Sequence, residues 1–134
     1  MIFGIGCDAC SISRLEKSLA GPSAARFVQR VYGEAERAAL RLDTVPDAPL
    51  RRHYLQSAAA NFAAKEAFLK AAGTGLREPF SLCEIEVLRL ESGAPCYVFS
   101  GKSAAWVEQQ HLHVHLSLSH EADTALAFCI LEQR

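Results

Sequence analysis

The chain has 134 residues, with 14 Lys and Arg against 15 Asp and Glu, a formal net charge of −1. That balance gives no bulk pull toward nucleic acid or an anionic membrane. Half the residues are apolar and 22% are charged, which argues against a disordered chain.

The longest strongly apolar stretch, Ala125 to Leu131, is far short of the ~20 residues a spanning helix needs. Met1-Ile2-Phe3-Gly4 lacks the basic region and cleavage pattern of a signal peptide. One domain over 1–134, soluble and cytoplasmic, is the expectation. Five cysteines, Cys7, Cys10, Cys83, Cys96 and Cys129, are an odd number and argue against a disulfide framework. Cys7-x-x-Cys10 has the form of a redox or zinc half-motif, but no thioredoxin-like unit and no second pair accompanies it. Small buried thiols are the expected state.

Residues 1–7 read as a short strand, with Phe3, Ile5 and Cys7 on one face and Ile2, Gly4, Gly6 and Asp8 on the other. Residues 11–20 read as a helix capped by Ser11 or Ser13 and ended by Gly21-Pro22. Further helices follow from Ser23 to about Val31 and over 34–42, then a loop over 43–49. Leu50 to Ala72, rich in Ala, Leu, Glu and Lys, is the strongest helix signal, and Gly73 is its natural stop. Cys83 to Leu90 alternates as a strand, turns at Ser92-Gly93-Ala94-Pro95, and returns over Cys96 to Phe99. A short helix over 101–110 precedes a strand whose apolar face is Leu112, Val114, Leu116 and Leu118, and a last strand over about 125–131. The pattern is α+β: a mostly antiparallel sheet packed on one long helix.

Four places are physically odd. On the long helix, Leu55, Phe62 and Leu69 lie within about 40° of one another, and Glu66 falls about 40° from Phe62, with Lys65 and Lys70 at the borders of that stripe. A carboxylate aimed at an apolar face is costly unless paired or metal-bound; a Glu66–Lys70 pair at i,i+4 is the plainer reading. In the first strand, Gly4 and Gly6 clear one face just before Asp8, for a ligand or for a tightly packed helix. Asp8 with Glu66 would supply two oxygen ligands, the number typical of a Mg²⁺ that also holds phosphate and water. Gly73-Thr74-Gly75 is a helix cap and turn, not a phosphate loop. His111-x-His113-x-His115 admits a zinc reading beside the plainer one of an exposed strand face, and His120, in phase with the apolar face, could bind an anion. Lys and Arg form no stripe with interleaved aromatics, so nucleic-acid binding lacks support.

Taken together, Gly4-Ile5-Gly6-Cys7-Asp8, Phe62-Ala63-Ala64-Lys65-Glu66-Ala67-Phe68-Leu69-Lys70-Ala71-Ala72-Gly73-Thr74-Gly75 and Ser117-Leu118-Ser119-His120 resemble holo-acyl-carrier-protein synthase, the short bacterial type of 4′-phosphopantetheinyl transferase. The resemblance runs from residue 2 to about 130 and includes a Gly-x-Pro turn at Gly93-Ala94-Pro95. It implies that fold and the transfer of the phosphopantetheine arm of coenzyme A to a serine of an apo acyl carrier protein, releasing 3′,5′-ADP, with fatty-acid biosynthesis as the setting. It implies Mg²⁺, with Mn²⁺ able to substitute, held by Asp8 and Glu66, and catalysis by these two with Lys70. Lys65, Lys70, Gly73, Thr74, Gly75, Pro95, Ser119 and His120 are implied contacts of coenzyme A, His120 near its 3′-phosphate. Arg14 and Arg26 match the positions that dock an acidic carrier, within a basic set that includes Lys17 and Arg30. A homotrimer with active sites between subunits is also implied, and no membrane.

The chain departs from that pattern at two points. Cys10 stands where the larger two-lobed transferases have a Glu, which sets this chain apart from that type. Asn61 stands where many members have a basic residue near the coenzyme A phosphates; its loss would weaken binding or move the contact to Arg51, Arg52 or His53. These departures motivate the alternative of a catalytically weak module that binds coenzyme A or a carrier.

Overall fold

A computed structural model of the chain describes residues 1–43 and 52–134. Its elements are β1 (Ile2–Ser11), α1 (Ile12–Ala20), α2 (Ala24–Val31), α3 (Glu34–Leu40), α4 (Arg52–Ala72), β2 (Ile85–Arg89), β3 (Pro95–Phe99), α5 (Gly101–Gln109), β4 (Leu112–Glu121) and β5 (Thr124–Gln133). The α+β class and each expected element are present. The expected loop from residue 44 on, Leu50 and Arg51 lie outside the described residues. The first strand runs on to Ser11, well past its expected end at residue 7, because Cys7 to Ser11 pair with Thr124 to Phe128. That partner lies near the other end of the chain, where local alternation gives no sign of it.

β1, β5 and β4 form an antiparallel sheet in that order, and β2 and β3 form a separate hairpin. Three rows cross the sheet on one face: Gly6, Cys129 and Leu116; Asp8, Ala127 and Leu118; Cys10, Ala125 and His120. α4 lies on this face. Leu55, Ala59, Ala63, Ala67 and Phe68 on the helix are buried with Ala125, Ala127, Cys129 and Leu131 on β5. The hairpin covers another side of the helix, where Phe68 meets the rings of Phe80, Tyr97, Phe99 and Trp106. A helix covered on most sides packs close to its neighbours, which is why its buried positions are mostly alanine.

Gly4 and Gly6 are explained by this packing rather than by a ligand. A Cβ on Gly4 would overlap Ala71 O, and one on Gly6 would overlap Ala67 O and Ala71 N. These are backbone atoms of α4 and cannot turn aside. Gly6→Ala is therefore expected to destabilise the fold by about 3 kcal/mol or more, at the upper end of overpacking effects; a thermal melt checks it, and an unchanged melting temperature would mean that helix and strand do not touch there.

The other face of the sheet is open. Its rows are Ile5, Ile130 and His115; Cys7, Phe128 and Ser117; Ala9, Leu126 and Ser119. Ile5 is 68% exposed and Phe128 51%. Cys7 lies here and Cys10 on the helix-covered face, since three residues along a strand reverse the side. Cys129 is buried, Cys10, Cys83 and Cys96 are half-buried and Cys7 is exposed, so the expectation of small buried thiols fails at Cys7.

Candidate active site

α4 divides the covered face of the sheet into two grooves. On the β1 side its half-open edge is the line Phe62, Glu66 and Lys70, one helical turn apart. Asp8 points to this edge from β1. Lys70 Nζ donates to Asp8 Oδ1 and to Cys7 O, both at 3.0 Å. The hydrogen bond to Asp8, and then the charge of Asp8, hold the Lys70 ammonium above its ordinary pKa. Glu66 is half-buried, and that burial raises its carboxyl pKa; Asp8 raises it further and Lys70 opposes. The expected Asp8–Glu66 proximity is thus present, but Lys70 pairs with Asp8 across the groove instead of with Glu66 along the helix.

The residues here fit a hard divalent cation. Asp8 and Glu66 offer two carboxylates, and Lys70 already seats a positive charge on Asp8. Among the described residues no group of three or more His, Cys, Asp and Glu converges on a metal position. A cation here would complete its shell with phosphate and water. Three residues beyond Lys70, Gly73 caps α4 by donating to Leu69 O and Lys70 O at 3.1 and 3.0 Å. Gly73 (φ 80) and Gly75 (φ 64) are left-handed, and a Cβ on either would meet nothing within 4 Å. The turn is thus both conformationally glycine-dependent and bare on its outer side.

Lys65 is not in this groove, and its expected contact with coenzyme A phosphate is corrected. Both Lys65 and Glu36 of α3 are 0% exposed. Lys65 Nζ donates to Glu36 Oε1 at 2.6 Å, to Leu82 O at 3.0 Å and to Ile85 O. Burial pushes the Glu36 carboxyl up and the Lys65 ammonium down, while each charge pulls the other back. Asn61 belongs to the same buried set, donating to Glu36 Oε2 and Val87 O, both at 3.0 Å. Its side chain secures α4 to α3 and β2. The costly buried charge on this helix is Lys65, one residue before the Glu66 that helical angle had singled out; the Glu36 carboxylate of α3, with Leu82 O just before β2 and Ile85 O at its start, offsets that cost.

On the β4 side of α4 a second cleft, of about 340 Å³, is lined by His53, Gln56, Ser57, Ala60, Arg89, Gly93, Pro95, Leu118, Ser119 and His120. Three of the expected coenzyme A contacts, Pro95, Ser119 and His120, meet here. So does His53, one of the expected replacements for a base at position 61; Arg52 instead donates to Ala122 O at 3.0 Å, and Arg51 lies outside the described residues. Arg89 was not anticipated as a cleft residue, although its phase with Ile85 and Val87 on β2 carried the signal.

The two grooves lie back to back. Ser57 and Glu66 are separated by about 13 Å along α4 and about 180° around it. Asp8 and Leu118 stand two strands apart in one row, roughly 10 Å. Arg14 and Arg26 are exposed on α1 and α2. Arg14 also borders a hollow between these helices, with Cys10, Phe27 and Phe62, and Phe62 lies one turn from Glu66. Among the described residues no group of three or more His, Cys, Asp and Glu gathers at the β4 histidines; His115 Nε2 lies 3.0 Å from Glu132 Oε1 on the exposed sheet face.

Comparison with known proteins shows the family. The sequence model of the 4′-phosphopantetheinyl transferase superfamily matches residues 4–129. The chain is 39% identical to the holo-[acyl-carrier-protein] synthase of Delftia acidovorans, over 100% of this chain and 99% of that protein. It is 42% identical to the synthase of Myxococcus xanthus, over 99% and 97%. Among solved structures, the synthase of Neisseria meningitidis superposes with a TM-score of 0.82 at 35% identity, covering 99% of this chain and 100% of that one. The Bacillus anthracis synthase, solved in complex with CoA (3′,5′-ADP), gives 0.78 at 33%, covering 100% and 99%. The chain belongs to the holo-[acyl-carrier-protein] synthase family of 4′-phosphopantetheinyl transferases.

Proposed function

We propose that the chain moves the 4′-phosphopantetheine arm of coenzyme A onto a serine of an apo acyl carrier protein, releasing 3′,5′-ADP. The observation that carries this reading is the meeting of Asp8, Glu66 and Lys70 in one groove, beside the bare Gly73-Thr74-Gly75 turn. Bound at Asp8 and Glu66, Mg²⁺ (or Mn²⁺) would supply charge neutralisation at the pyrophosphate. Lys70 can leave Asp8 and follow a phosphate oxygen as a mobile point charge. Glu66, on the open edge of α4 beside Asp8, is placed to take the serine proton. The serine oxygen then bonds to the β-phosphorus as the bond to the 3′,5′-ADP oxygen breaks.

A homotrimer with active sites between subunits is part of the same proposal. Two features support it: the back-to-back grooves, which one coenzyme A could not join through α4, and the exposed Ile5 and Phe128 on the open sheet face. A cytoplasmic setting, which keeps free thiols reduced, completes it.

The test is to incubate the protein with coenzyme A, Mg²⁺ and an apo carrier and to weigh the carrier. A gain of one phosphopantetheine is expected. Tight coenzyme A binding with no gain across several carriers would instead identify a binding module. Arg14 and Arg26 should act on encounter with the carrier. Charge reversal of both, Arg14→Glu with Arg26→Glu, is expected to lower kcat/KM for the carrier by about 10-fold at low salt, less at high salt, and to leave coenzyme A binding unchanged. A loss indifferent to salt would speak against docking.

A further inference from the structure

The second cleft contains a cation that is held from beneath. Arg89 ends β2 opposite Pro95 of β3, in phase with the buried Ile85 and Val87. Its side chain therefore leaves the hairpin on the α4 side and lines the cleft with His53 and His120. Arg89 Nη2 donates to Asn61 Oδ1 at 3.1 Å. Asn61 is 2% exposed, and its amide is fixed in turn by Glu36 Oε2 and Val87 O. The amide cannot flip without losing both bonds. That contact uses one of the five N–H donors of a guanidinium, whose fork matches a phosphate in two-point contact. Partial burial lowers the Arg89 pKa and the Glu36 carboxylate opposes this; a guanidinium is charged at neutral pH.

We propose that Arg89 is the main phosphate-binding cation of this cleft, that Asn61 is its positioning residue, and that Arg89 sets a preference for coenzyme A over its 3′-dephospho form. The inference rests on the reading of the chain as a coenzyme A-dependent transferase. The pyrophosphate belongs with Asp8, Glu66 and Lys70, where the bond breaks. The other anionic group of coenzyme A, the 3′-phosphate monoester, is then left for the cleft on the opposite side of the helix. A basic residue at position 61 would reach such a phosphate from α4; in this chain the cation comes from the hairpin, and position 61 supplies the acceptor that aims it.

The test measures the binding of coenzyme A and of 3′-dephospho-coenzyme A to the full-length protein by calorimetry, for wild type, Arg89→Gln and Arg89→Lys. Wild type should prefer coenzyme A. Arg89→Gln should raise the Kd for coenzyme A by about 10–100-fold, the worth of a charge-assisted contact, and leave the Kd for the dephospho form within about 2-fold, so that the preference collapses. Arg89→Lys, which keeps the charge and loses the fork, should fall between. Arg89 is exposed at a strand end, so these variants should fold, and a thermal melt confirms it. A wild type that discriminates and an Arg89→Gln variant that discriminates equally would overturn the inference while leaving the transferase reading intact. A wild type that binds neither compound would remove both.

Discussion

Glu66→Gln lowers carrier loading by at least ~10²-fold, as loss of a charge-stabilising group does, while the melting temperature stays within about 2 °C of wild type. The two halves of this expectation have one origin. Glu66 lies half-buried beside Asp8, and both burial and that neighbour make its charge costly. Replacing the carboxylate by an isosteric amide removes a repulsion within the fold, so stability has no reason to fall. Function loses one of the two carboxylates available to a cation and the proposed acceptor of the serine proton. Steady-state loading at saturating coenzyme A, followed by a Mg²⁺ titration, checks it; the variant should also need more metal for half its maximal rate. A near-wild-type rate would remove Glu66 from the reacting set.

Lys65→Met behaves in the opposite way. It should cost about 3–5 kcal/mol of stability, because the Glu36 carboxylate is then left buried without its charge partner. For a chain of this length that is a fall of roughly 10–20 °C in melting temperature. The double variant Lys65→Met with Glu36→Gln should recover part of the loss, and a double-mutant cycle gives the coupling. A lysine that touches substrate phosphate would show a different pattern: a normal melt with a raised KM for coenzyme A. Denaturant unfolding beside coenzyme A kinetics therefore distinguishes the two roles.

Most of the fold was legible because each element carries its own period or cap. Ser11 could be read as an N-cap, and it accepts from Arg14 N; the alternation of 112–118 is the inner face of β4. The extent of β1 was not legible, since its second half is fixed by β5 near the chain's other end. The site was legible where residues act as a local group, as at Glu66 and Lys70, one turn apart. Lys65 was misplaced because helical angle fixes which side of α4 a residue occupies, but not what covers that side. A polar residue on a covered side of α4 finds its partners on α3 and β2, distant in sequence. The clue was composition: Lys65 is flanked on its helix face by Phe68 and Leu69, with Ala63, Ala64 and Ala67 beside it, which suits a covered face rather than a solvated one.

The position of α4 between the two grooves also bears on inheritance. In a shared-site assembly, one subunit's Asp8 and Glu66 work on a coenzyme A held by its neighbour's Arg89 and His120. A subunit defective in the first set still offers the second, and the reverse holds. Two defective alleles, one altered at Glu66 and one weakened in coenzyme A binding at Arg89, would therefore restore each other when expressed in one cell, whereas two alleles altered in the same groove would not.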